Sequence, residues 1–199
     1  MNAHVAELFR DWHDFYLLAG TASATLVGLM FVAASIGANV FSREHRNAMR
    51  AFVSPTVVHF GAVMFICMLV TIPSQTPMTL SGFLVAAGGA GLAYSGRIWI
   101  ELLVQHRFEV DWVDRIFYAM IPVCGYALVV ASGVLLFVEW AASSDVIAAG
   151  LMTLLLAGLR NAWDMTIWIV LRAPSVAAVQ QPSDFGPTNP RSQQEDTGR

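Results

Sequence analysis

Arg160 and Asp164 lie four positions apart in a stretch, 146–171, that is otherwise largely apolar. On a helix that spacing sets both side chains on one face, where guanidinium and carboxylate can pair. If the stretch crosses a bilayer, each ionised group costs roughly 2.5–3.5 kcal/mol even on lenient insertion scales. A second pair, Arg97 and Glu101, repeats the spacing in the third apolar stretch, where Tyr94 joins its polar stripe. Asn161 stands beside Arg160, and His59 is the histidine set within an apolar stretch. Two chemistries fit these residues. They could line an aqueous path for ions or small polar solutes, with His59 as a proton sensor because imidazole titrates near neutral pH. They could instead form an interhelical salt-bridge network that fixes helix register, with His59 as a hydrogen-bonded packing residue.

The elements that must hold these groups are membrane helices. Hydrophobic residues make up 56% of the chain and charged ones only 13%, with a mean hydropathy of +0.59. Soluble domains carry about 25% charge, so the composition points to an integral membrane protein. The net charge of −3 gives no basic face for nucleic acid, and no nucleic-acid partner is expected. Every basic residue is arginine, which excludes a Schiff-base lysine. Arginine with abundant Ala, Gly and Val suits a GC-rich bacterial genome, hence a bacterial inner membrane. Cys67 and Cys124 fall in apolar stretches and are expected as buried thiols, without a CxxC motif. The first apolar stretch follows Glu7, Asp11 and Asp14 rather than a basic segment, so it is expected to span rather than to be a signal peptide.

Five stretches, 15–41, 52–72, 79–104, 115–138 and 146–171, reach the roughly 20 residues that cross a bilayer. Arg43, Arg46 and Arg50 fill the first connection and Arg107 the third, while Arg172 opens the tail. The second connection has no charge, and the fourth carries Glu139 and Asp145. The positive-inside rule then predicts an all-α integral membrane protein. It is a five-transmembrane-helix bundle with its N-terminus outside and its C-terminus cytoplasmic. Residues 1–172 form the transmembrane domain and 173–199, rich in Pro, Gln, Ser and charge, a disordered tail. At 1.5 Å rise per residue, Arg160 lies about 21 Å and Arg97 about 27 Å below the outer edges of their spans. His59 lies about 10 Å from the cytoplasmic edge, so the ionisable groups are expected to share the inner half.

Small residues mark helix contacts. Gly20, Ala24 and Gly28 recur every four positions in the first stretch, and Gly88 begins a glycine-rich run in the third. Pro55 and His59 are matched by Pro122 and Tyr126 farther on, a faint sign of duplication. No HExxH, phosphate-binding glycine loop or paired intramembrane aspartates suggest an enzyme. No second intramembrane histidine offers haem ligation, and no cofactor or metal is expected. The leading expectation is an oligomeric channel or transporter for ions or small polar solutes, a homo-oligomer in the lipid bilayer. The alternative is a non-transporting protein that stabilises or regulates a partner membrane protein or larger complex.

Overall fold

The computed structural model describes residues 9–40, 43–73, 75–104 and 120–172, which are helical apart from short turns and contain no strand. The helices are α1 (His13–Val40), α2 (Arg43–Thr71), α3 (Pro77–Val104), α4 (Ile121–Phe137) and α5 (Ser143–Arg172). Three are long and apolar enough to cross a membrane, over His13–Ser35, Pro77–Ile100 and Ser143–Asp164. The apolar part of α2, Pro55–Thr71, is shorter, because the helix starts at Arg43 and its first turns carry Arg43, Glu44, Arg46 and Arg50. The 17 residues of α4 rise about 25 Å, somewhat less than a hydrocarbon core of about 30 Å. Residues 115–119 of the expected fourth span and the tail 173–199 lie outside the described residues.

Local chemistry suits an apolar medium. The hydroxyls of Thr25, Ser35, Thr153 and Thr166 donate to carbonyls one turn back, at 2.7–2.9 Å, so these side chains need no water. Thr76 starts α3: its Oγ1 accepts the Thr79 backbone N–H at 3.2 Å, and Pro77 follows where a missing donor costs nothing. At the other turn Glu139 takes a left-handed φ of 54°. The Glu139 and Trp140 N–H groups then return to the carbonyls of Leu136 and Leu135 and close α4.

Successive helices pack antiparallel. The α1–α2 pair meets where Gly20 approaches Cys67 and the Ser23 hydroxyl donates to the Phe60 carbonyl at 2.6 Å. The α3–α4 pair meets where Gly88 approaches Val130 and Ser81 donates to the Gly133 carbonyl at 2.7 Å. Contacts of α4 with α5 and of α2 with α5 complete a four-helix ring closed lightly by α2 and α3. Helix α1 lies outside this ring, against α2 and the edge of α5. Two glycines carry the closest crossings. A Cβ on Gly91 would run into the Tyr126 ring, and one on Gly158 would stand 2.6 Å from Phe60.

The four ring helices form two successive pairs that pack unequally, α4 closely on α5 and α2 lightly on α3. Helices α2 and α3 recur as α4 and α5 at the separation of His59 from Tyr126, 67 positions, with their turns in register. At this offset Pro55 and Pro122, Leu69 and Leu136, Leu80 and Ile147, Leu84 and Leu151, and Gly91 and Gly158 are buried in both pairs, whereas buried Phe60 and Cys67 fall against exposed Ala127 and Val134.

Gly91→Ala is expected to destabilise the bundle by about 1–3 kcal/mol through overpacking against Tyr126. Gly89→Ala, with nothing within 4 Å of the added atom, should leave stability unchanged or slightly raised. Thermal unfolding in detergent, followed by circular dichroism, separates the two outcomes.

Candidate functional site

On α2, Thr56, His59, Phe60, Val63, Ile66 and Cys67 are buried at spacings of three and four, so one face of the helix is turned to the interior. On α4 the corresponding face holds Pro122, Gly125, Tyr126, Val129, Gly133 and Leu136. These faces meet in the middle of the ring at His59 and Tyr126. The imidazole Nδ1 lies 3.0 Å from the phenol oxygen, with ring centroids 5.6 Å apart. His59 is 1% exposed and Tyr126 not at all. With the ring proton on Nε2, the Tyr126 hydroxyl donates to Nδ1; with it on Nδ1, the imidazole donates instead. The phenol fits there because Gly91 of α3 has no side chain, as its clash with an added Cβ shows.

The arginine and acid side chains stand elsewhere. Arg160 Nε donates to Asp164 Oδ2 at 2.9 Å, and the two side chains are 43% and 45% exposed. The buried stripe of α5 runs through Ile147, Leu151, Leu154, Ala157 and Asn161, and the pair lies beside it with exposed Leu156, Leu159 and Trp163. Arg97 is exposed on α3 and Tyr94 half-buried, while Glu101 belongs to the last turn of α3, where the helix alone is described. The chain therefore keeps His59 in the interior and sets Arg97, Arg160 and Asp164 on its outer surface. A single polar cluster across three helices does not form among the described residues. The physical reason is helical rotation: Asn161 follows Arg160 by about 100°, enough to carry one residue inward and leave the other out.

Asn161 is 4% exposed and its Nδ2 has no hydrogen-bond partner among the described residues; the Ser95 hydroxyl, 2% exposed, is in the same condition. Of the small residues, Gly20 and Gly88 pack on neighbouring helices. Ala24 is exposed and Gly28 has nothing within 4 Å of an added Cβ, so that part of the stripe faces outward. Cys67 is buried, whereas Cys124, expected in the interior, is exposed on the outer face of α4. Among the described residues no group of three His, Cys, Asp or Glu side chains is arranged to hold a metal ion. A described cavity of about 250 Å³ opens at the turn end of the bundle, between Thr76, Pro77, Leu136, Phe137 and Glu139, far from the charged pair.

Sequence reasoning singled out His59 and Tyr126 separately, as a lone histidine and as members of a repeated pattern, and did not pair them. The interhelical serines Ser23 and Ser81 were not anticipated. The usable signal was a serine within an apolar stretch, a residue that must find a carbonyl when water is absent.

Tyr126→Phe removes the hydroxyl and strands a buried ring nitrogen, at an expected cost of about 1–3 kcal/mol. His59→Phe combined with Tyr126→Phe should recover part of that loss, since both polar partners are then gone. A double-mutant cycle from chemical unfolding in detergent measures the coupling; a coupling near zero would deny the bond a structural role.

No protein-family model, no curated protein and no solved structure matches this chain.

Proposed function

We propose that this is a multi-pass membrane protein of five spans, outside at its N-terminus and cytoplasmic at its C-terminus. It works as a homo-oligomer that conducts or transports ions or small polar solutes. The observation that carries the reading is the division of polar groups. The ring centre is occupied by the His59–Tyr126 contact and apolar packing, while Arg97 and the Arg160–Asp164 pair face outward. Lipid cannot satisfy such groups in the hydrocarbon region, so they call for water or another protein surface. A path along the boundary between subunits meets that need where five short helices enclose no wide lumen. In this reading Arg160 and Asp164 line or gate the seam in its cytoplasmic half, with Asn161, Tyr94 and Glu101 as neighbours. His59 acts from inside each subunit by holding the two halves of the ring together. The bacterial inner membrane is the compartment this reading assigns.

The direct 2.9 Å bond between Arg160 and Asp164 favours a second reading, a non-transporting protein that regulates or stabilises a membrane complex. There the charge pair serves as glue against a partner helix.

Reconstituted into liposomes, the protein is expected to raise ion or small-solute flux, and Arg160→Ala and Asp164→Ala to cut it at least tenfold. Unchanged flux in well-folded variants would sink the transport reading. Preserved assembly after exchanging Arg160 and Asp164, with no flux from either protein, would establish the scaffold instead.

A further inference from the structure

Polar and apolar residues are separated along the axis of the ring. The His59–Tyr126 contact stands beside two crossings, Tyr126 on Gly91 and Phe60 on Gly158. One turn on, towards the end where α2 and α4 begin, every ring helix buries a residue: Thr56 on α2, Ser95 on α3, Pro122 on α4 and Asn161 on α5. Three of these four are polar. In the other direction the buried residues beyond the contact include Val63, Ile66, Leu84, Val129 and Leu151, all apolar.

The two parts also differ in how their buried polar atoms are satisfied. In the apolar part the hydroxyls of Ser81 and Ser132 each donate to a backbone carbonyl at 2.7 Å. Ser95 Oγ and Asn161 Nδ2 are also buried, but have no partner among the described residues. The other unpartnered buried atoms, on Tyr16, Gln75 and Ser143, stand at the opposite end of the bundle. A buried hydroxyl or amide without a hydrogen bond is costly, and protein interiors commonly resolve it with a bound water. The chain itself covers Ser95 and Asn161, so neither a lipid headgroup nor a second subunit reaches them. Their partner must be small, and it must accept a hydrogen bond because an amide nitrogen only donates. It must also be uncharged. At this end the described ionised side chains, Arg97, Arg160 and Asp164, face outward, and a buried ion would have no counter-charge.

We propose that this end of the ring, up to the His59–Tyr126 contact, is a hydrated pocket lined by Thr56, Ser95 and Asn161, and that its ligand is water. Water is the smallest molecule that meets the requirements: it accepts from the Asn161 amide, and it can both accept from and donate to the Ser95 hydroxyl. Helix α2 packs only lightly on α3, so the corner between Thr56 and Ser95 is the loosest in the ring and the one through which water exchanges. The His59–Tyr126 contact closes the pocket against the apolar packing of Val63 and Val129. The same water gives the imidazole an exchange partner for its proton besides the Tyr126 hydroxyl. The pocket lies within a single chain, so it rests neither on an oligomer nor on a path between subunits.

The wild type provides the first test. Full-length protein with isotope-labelled asparagine is reconstituted into lipid bilayers, and magnetisation transfer from water is followed by solid-state NMR, with Asn161→Leu assigning the signal. The Asn161 side-chain amide is expected to receive magnetisation from water. A second test uses thiol chemistry in a full-length chain carrying Cys67→Ala and Cys124→Ala. There Ser95→Cys is expected to react with iodoacetamide about tenfold faster than Leu84→Cys, because the reactive thiolate forms only where water reaches the sulfur. An Asn161 amide without water contact overturns the pocket, and so do equal thiol rates in the two folded variants. If either cysteine variant fails to fold, the wild-type amide decides alone. Neither readout depends on subunit number or on flux, so the pocket and the transport reading stand or fall separately.

Discussion

Close approach of helix backbones is the constraint on which the rest of this bundle depends. Water exclusion drives little association between helices already in an apolar medium, so contact area and interhelical hydrogen bonds must supply the stability. Gly91 and Gly158 allow an aromatic ring to lie against a neighbouring backbone. Similar proximity at Gly20 and at Gly133 brings the hydroxyls of Ser23 and Ser81 within reach of carbonyls across the helix boundary. The His59–Tyr126 bond is the most central product of the same arrangement. A bulkier residue at Gly91 would displace the phenol before it touched the hydrogen bond itself.

Much of the helical scaffold was legible in the residues. Long apolar runs, the Thr76–Pro77 helix start and the charged turns of early α2 all mark element limits through local chemistry, and the described helices lie close to the stretches read from hydropathy. The rotation of each helix was harder to read. Arg160 and Asp164 announced a shared face by their spacing, but spacing does not say whether that face turns inward. That is decided by the neighbours of Asn161, Leu154 and Ile147, which lie on other helices. Depth along a helix follows from counting residues, whereas orientation about the helix depends on packing.

The same limit explains the cysteines. Cys67 and Cys124 both sit in apolar runs, yet one is covered by Gly20 of α1 and the other is open. Hydropathy treats lipid and protein interior alike, since both are free of water, and an apolar residue is at home in either. Polar residues discriminate better. The orphaned Nδ2 of Asn161 and the hydroxyl of Ser95 mark places where the interior is not fully matched, and these were visible only once the helices were assembled.

The pairing of α2 with α3 and of α4 with α5 in one chain also bears on how the central contact could arise. Two separate identical hairpins related by a true two-fold axis would place the same side chain opposite itself, imidazole against imidazole or phenol against phenol. Joining the halves in one chain releases the axial position from that identity. One side can then supply a ring nitrogen and the other a hydroxyl, a complementary pair for which neither half alone encodes both members. Covalent linkage thereby provides more than proximity: it lets the central contact be built from two different side chains.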